Sequence, residues 1–285
     1  MLRFLFLLAA TALPVLAAEN EFRDQIVDLI KRRQWTEAQT LLEKITLEQP
    51  TNAEAWFFLG QTFVARNDAE KSVPPLEKAV SLAPDNSEYQ RILGDAYGLS
   101  ALKAGLFSKL SWAKKCKAAY DKAVELDPSN LRARLSLMEF CRQAPGFVGG
   151  GLDKAFEQAA EIKKLDPVRG RQAYAGLYVA EKKYAEAFAL YEEVLREKPD
   201  DEDALYNIGR IAAISGEQLD RGLETLKLLV AREGRANDAR AQTRIGNILE
   251  KKNDKTGARA AYQAALIGDP KFTQAMEALR KLNET

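Results

Sequence analysis

The stretch AWFFLGQTF, residues 55–63, controls how the rest of the chain is read. Trp56, Leu59, Gly60 and Phe63 recur at three- and four-residue intervals, which places them on one face of a helix. Ser72, Leu76, Ala79 and Pro84 follow at spacings that suit a second, antiparallel helix. The ladder then returns along the chain. Leu93, Gly94 and Tyr97 precede Cys116, Tyr120, Ala123 and Pro128, and Tyr174, Ala175 and Tyr178 precede Ala187, Tyr191, Val194 and Pro199. Ile208, Gly209 and Ala212 mark a further copy, and Ile245, Gly246 and Leu249 lead to Ala258, Tyr262, Ala265 and Pro270. A recurrence of about 34 residues is the signature of stacked helix pairs, in which no pair buries its apolar face alone.

These residues resemble the tetratricopeptide repeat: a large apolar residue, leucine with a small neighbour, an aromatic, an alanine, a second aromatic and a closing proline. The resemblance implies an all-α fold, an α-solenoid wound as a right-handed superhelix, with about seven helix-turn-helix units. The units begin near residues 19, 53, 87, 131, 168, 202 and 239, and a capping helix follows over 271–282. One domain is expected over 18–285. The first unit is recognised mainly from Ala38, Leu42 and Pro50, and the sixth lacks its closing proline around AREGRAND. Breakers agree with this division. ARNDAE, AEKKYAE and EKKNDKTG read as turns within units, and LAPDN, LDPSN and KPDD as turns between them. The small residue after each leucine sits in mid-helix, where glycine costs roughly 1 kcal/mol of propensity, so a close helix crossing is expected there. Pro74 and Pro75 must lie in the first turn of their helix or bend it.

Two intervals depart from the period. The closing prolines at 84 and 128 are ten residues too far apart, an excess that maps to LKAGLFSKLS, residues 102–111. Repeats tolerate insertions in loops, so a loop is expected there. A second excess, of five, maps to the glycines of APGFVGGGLDKA, residues 144–155. That stretch suggests a phosphate loop and fails as one. Lys154 is followed by alanine rather than serine or threonine, and the segment before it is helical in pattern, not a strand. It is read as a widened turn joining the two helices of the fourth unit.

Composition narrows the function. Charged residues make up 29% of the chain, apolar residues 46%, and histidine is absent, which removes the commonest general base and metal ligand. Two cysteines cannot build a four-ligand zinc site. No catalytic residue, cofactor or metal is therefore assigned. MLRFLFLLAATALPVLA, residues 1–17, reads as a signal peptide cleaved after Ala17 or Ala18, with no cysteine at the cut for lipid attachment. Arg3 is the only charge in that segment, so its removal takes the formal net charge from +1 to 0. That balance supplies no long-range field for nucleic acid, and no second apolar span of membrane length is present. A periplasmic or secreted setting follows as an expectation.

Cys116 reads as opening the second helix of the third unit, and Cys141 lies near the end of the first helix of the fourth. A disulfide between them is geometrically open, and so are two small buried hydrophobes. The family resemblance implies that the first helix of each unit lines the inner groove. It points Phe57, Gln61, Arg91, Asp95, Leu135 and Glu139 inward from the earlier units, and Gln172, Tyr206, Arg210, Thr243 and Asn247 from the later ones. Such a mixture suits an extended peptide or a partner's helix. In relatives that clamp a peptide's C-terminal carboxylate, five positions carry lysine, arginine or asparagine; Asn207, Arg240 and Arg244 match three of them, and Gln172 and Gly176 do not match. The expected function is a non-catalytic protein-interaction scaffold of the cell envelope. The alternative is an exported protein that encloses a small molecule in a pocket partly built by residues 102–111.

Overall fold

The computed structural model describes residues 22–284, so the leader read over residues 1–17 lies outside the described residues. Every regular element among them is helical. Among the described residues the helices follow one another in the order of the repeat: α1 (helical over 22–31) then α2 (Trp35–Glu48), α3 (Ala53–Ala65) packed on α4 (Ala69–Leu82), and α5 (Ser87–Lys103) packed on α6 (Leu106–Leu126). Then come α7 (Leu131–Gln143) with α8 (Leu152–Leu165), α9 (Pro167–Ala180) with α10 (Tyr184–Glu197), α11 (Glu202–Ser215) with α12 (Leu219–Val230), α13 (Ala239–Lys251) with α14 (Lys255–Gly268), and a lone α15 (Thr273–Glu284). A single 3-10 turn, Gly146–Val148, joins α7 to α8. The described residues fall into two compact units that divide between Gln158 and Ala159, within α8.

The turns form as their polar residues dictate. Asn52, Asn86, Asn130 and Asp201 each accept a hydrogen bond from the backbone N–H three residues on, which caps α3, α5, α7 and α11. Each bond satisfies one of the donors that the first helical turn leaves unpaired. Within units, Asn67 and Lys182 take left-handed φ values of 59° and 60°, so that the next N–H reaches back to Phe63 and Tyr178 respectively. The sixth unit closes without proline. Arg232 and Arg235 both hold Glu202, and Arg232 also donates to the Asp200 carbonyl.

The core lies between paired helices. In the first unit Ile26, Ala38, Leu42, Leu59 and Phe63 form one cluster; in the second, Phe188, Tyr191, Leu205, Ile208, Leu226 and Ile248 form another. The mid-helix glycines sit where the pairs touch. A Cβ on Gly60 would come 2.3 Å from Leu76 Cγ, on Gly209 2.2 Å from Leu226 Cγ, on Gly94 2.5 Å and on Gly246 2.3 Å from the rings of Tyr120 and Tyr262. The close crossing expected from sequence is therefore present in four of the pairs, with the ladder's second large residue as the partner.

Pro74 and Pro75 lie in the second turn of α4, beyond its first turn, and the helix continues through them to Leu82. Neither can donate to the carbonyls of Glu70 and Lys71, but both of those residues are exposed, which leaves the carbonyls open to solvent. Pro75 packs into the core while Pro74 faces solvent. Pro74→Ala restores one helical bond without disturbing packing, and we expect it to raise stability by about 1–2 kcal/mol, part of the ~3 kcal/mol that separates proline from alanine in a helix interior. Thermal unfolding checks this, and a lowered midpoint would refute it.

The excess at 102–111 is helical rather than a loop. Measured from the crossing residues, α5 runs four residues further past Gly94 than α3 does past Gly60, and α6 begins seven residues earlier before Tyr120 than α4 does before Leu76. A turn of only Ala104 and Gly105 joins them, so the added residues lengthen the helical hairpin. Two further readings change in consequence. Cys116 lies ten residues into α6 instead of opening it, roughly 15 Å from its start. It points back to Gly98 of α5, while Cys141 on α7 lies among Lys117, Asp121, Lys154 and Glu157; the two are buried free thiols and not a bridge. Burial pushes the Cys116 thiol up to about 12.

Candidate functional site

The glycine stretch is a structural turn. Gly149 N–H donates to the Gly146 carbonyl, Gly150 N–H to Pro145 and Gly151 N–H to Cys141, so these amides are committed to the backbone. Lys154 Nζ turns back onto the Gly149 carbonyl at 3.2 Å. A phosphate loop needs such N–H groups aimed outward at a ligand.

In the first unit, the predicted groove residues on α3, α5 and α7 are largely satisfied by partners within the protein. Phe57 is buried and stacks on Tyr89, centroids 4.4 Å apart, so it belongs to the core and not to an open groove. Tyr89 was not among the residues expected from sequence, because it lies two positions off the repeat register of Phe57 and Arg91. Arg91 is held by Glu88 at 2.7 Å and by Asp95 at 2.8 Å. Asp95 also accepts from the Tyr120 hydroxyl at 2.6 Å, and Glu139 is tied to Arg142 at 2.8 Å. Gln61 and Leu135 are half-buried.

Asp95 and Asn247 occupy the same place in their helix pairs, directly after the crossing glycine: Asp95 accepts from the Tyr120 hydroxyl, and the Tyr262 hydroxyl lies 2.8 Å from Asn247 Oδ1 and is also bonded to Glu250 of the same helix. Burial raises the Asp95 carboxyl above its ordinary range, outweighing the Tyr120 hydrogen bond and the Arg91 charge that lower it. A folded pKa above the unfolded one means that the folded state binds the proton more tightly, so this group adds stability as pH falls from above its raised folded pKa towards the ordinary carboxylate value. Asp95→Asn keeps an acceptor for Tyr120, as Asn247 does for Tyr262. We expect it to leave neutral-pH stability within about 1 kcal/mol and to remove that slope, read from urea unfolding at pH 4 to 7. An unchanged slope would show that another group carries it.

The second unit presents a different face. On α9, Gln172 donates to Asp201 at 3.1 Å, and Arg169 meets Asp203 at 3.2 Å. On α11, Asn207 donates to the Asp203 carbonyl and accepts from Arg210 Nε at 2.9 Å. On α13, the exposed Arg240 guanidinium lies 5.5 Å from the Tyr206 ring, while Arg244 is half-buried. Thr243 is buried and donates to the Ala239 carbonyl, so it does not line this face. Arg171, Arg221, Arg232 and Arg235 each hold a carboxylate, yet among the described residues Arg210, Arg240 and Arg244 form no such ion pair. Tyr206, Arg210, Arg240 and Arg244 thus bring an aromatic plane and three unneutralised guanidinium groups to adjacent helices.

Models of the tetratricopeptide repeat match residues 29–96 and 178–243 in one form and 99–130 and 239–266 in another, together more than half of the chain. The chain belongs to the tetratricopeptide repeat family. A tetratricopeptide repeat protein from Parabacteroides merdae is similar in fold, with a TM-score of 0.68 over 93% of this chain and 98% of that one, at 15% identity. In sequence, the chain is 30% identical over 126 residues to cellulose synthase operon protein C of Pseudomonas fluorescens, and 27% identical over 168 residues to DnaJ homolog subfamily C member 7 of Homo sapiens. Those alignments cover 41% and 56% of this chain but 10% and 33% of the two relatives, so it spans only a fraction of either. Tetratricopeptide domains bind protein or peptide partners, which makes the first-helix faces the place to seek one.

Proposed function

We propose that this tetratricopeptide protein is a scaffold that holds an acidic segment of a partner protein on the α11–α13 face of its second unit. One observation carries the reading: Arg240 lies over the Tyr206 ring, and Arg210 and Arg244 stand on the same two packed helices, none of the three paired with a carboxylate among the described residues. Guanidinium groups pair with carboxylates through parallel N–H donors, and a peptide's acidic side chains or C-terminus would supply the missing charge. Three of the five positions of the carboxylate clamp, Asn207, Arg240 and Arg244, fit that chemistry, while Gln172 and Gly176 do not, so a full clamp is not required by the proposal. The leader read over residues 1–17 supports a cell-envelope setting. Sequencing of the mature N-terminus tests that part, and a product beginning at Met1 would refute it.

Binding is tested with fluorescently labelled peptides, one acidic set with free C-termini and one lysine-rich set. The wild type is expected to select the acidic set and to lose at least tenfold in affinity on Arg240→Glu/Arg244→Glu, since truncating charge pairs at an interface costs about 2 kcal/mol or more. Equal affinity of wild type and variant would remove these residues from the site.

A further inference from the structure

The tip of the α5–α6 hairpin has no part in the peptide face, and its chemistry points elsewhere. Leu102 at the end of α5 and Leu106 and Phe107 at the start of α6 are 75%, 83% and 92% exposed, and Leu110 one turn on is 38% exposed. Large apolar side chains standing together in water mark an interaction surface. The other exposed apolar residues are spread over several helices. No acidic residue occurs between Asp95 and Asp121, while lysines stand at 103, 109, 114, 115 and 117. Lys117 is neutralised by Asp121 at 2.6 Å, and Lys115 lies over the Trp112 and Tyr97 rings, 4.0 Å from Glu77. Lys103 spends one bond on the neutral Asn67 carbonyl. Lys109 and Lys114 meet no carboxylate among the described residues.

We propose that this tip is a membrane-docking element that takes an anionic lipid surface. The placement fits the dimensions of an interface. Phe107, Leu110 and Lys114 follow one another on a single stripe of α6, and Lys114 sits about 10 Å back from Phe107 along the helix axis. Apolar faces of interfacial helices enter the headgroup boundary by about 5–10 Å, which brings Lys109 and Lys114 to the level of the phosphates. The two-residue turn makes the tip convex, and nothing lies within 4 Å of a Cβ built on Gly105. A convex apolar end ringed by mobile ammonium groups matches a deformable, negatively charged surface. No helix among the described residues is long and apolar enough to cross a membrane, so the contact is peripheral. Across the whole chain the formal charges nearly balance, which is why composition alone does not show this local excess.

Flotation of the full chain with phosphatidylcholine vesicles, with and without one quarter phosphatidylglycerol, tests the proposal. Selective binding to the anionic vesicles is expected, weakened by 0.5 M NaCl, and reduced at least tenfold by Leu106→Ser/Phe107→Ser and several-fold by Lys109→Glu/Lys114→Glu. All four side chains are outside the core, so melting should not change. The apolar segment near the N-terminus is common to every variant and cannot produce a difference between them. A solvent-sensitive dye on Ser108→Cys should shift to the blue on the anionic vesicles, with Cys116 and Cys141 buried and silent. Equal flotation of wild type and variants, or an unshifted dye, would overturn the assignment. So would a dimer or a protein complex lost with Leu106→Ser/Phe107→Ser in the absence of vesicle binding.

Discussion

Gly94→Leu and Gly246→Leu are each expected to destabilise the protein by about 3 kcal/mol or more, read as a lowered midpoint of chemical unfolding. A Cβ alone at Gly94 would stand 2.5 Å from Cε1 of Tyr120, and at Gly246 2.3 Å from the same atom of Tyr262. Neither ring has an easy retreat. Tyr120 and Tyr262 are buried, and their hydroxyls are anchored to Asp95 and to Asn247 and Glu250, on the very helices that carry the glycines. A leucine must therefore separate the paired helices, which breaks the tyrosine bond and opens the core together. Alanine at Gly94 would regain about 1 kcal/mol of helix propensity against a smaller overlap, so its net effect is expected to be milder. Gly176 supplies the contrast. It is also within a helix, α9, but nothing lies within 4 Å of its Cβ position, so Gly176→Ala should stabilise by about 1 kcal/mol. Equal effects at positions 94 and 176 would mean that propensity, and not the crossing, sets the cost of these glycines. Because stacked repeats couple mainly to their neighbours, hydrogen exchange in the Gly94→Leu variant should rise first in α5 and α6.

The second large effect is expected at Gly150. A Cβ there would lie 1.9 Å from the Ala144 carbonyl oxygen, a backbone atom that cannot rotate aside. Gly150→Ala must displace the turn that joins α7 to α8, and with it the bonds from Gly150 N–H to Pro145 and Gly151 N–H to Cys141. A loss of about 3 kcal/mol is expected, the scale of severe overpacking. Gly146→Ala in the same turn meets nothing within 4 Å and should be nearly neutral. The glycines here are explained by the close approach of two backbone segments at Gly150 and by the left-handed φ of 90° at Gly149, beside the Lys117 side chain. If both substitutions proved neutral, the turn would not need its glycines for packing, and a role in ligand contact would have to be sought.

Much of the fold is legible in the chain because a helix pair is a local object. The spacing of Trp56, Leu59, Gly60 and Leu76 carries the pair, and Asn52, Asn86, Asn130 and Asp201 cap the helices they precede using only their own neighbours. The crossing glycines could be identified because a residue that weakens its own helix needs a compensating contact. Side-chain partnership was less readable. Phe57 and Thr243 hold positions that the repeat assigns to a groove, yet neighbouring rings and turns bury them; Asp95 and Asn247 face the second helix through a tyrosine bond that no spacing rule contains.

The amino-acid order by itself determined the class of fold, the number of helix pairs and the family, since each rests on contacts between residues close in the chain. Only the tertiary structure decided that the ten extra residues lengthen a hairpin and lift Leu106 and Phe107 into solvent, that the two thiols stay apart, and which arginines keep their charge unpaired. Those outcomes depend on what residues from separate helices meet in space, and the energy of such meetings is not encoded in any one segment.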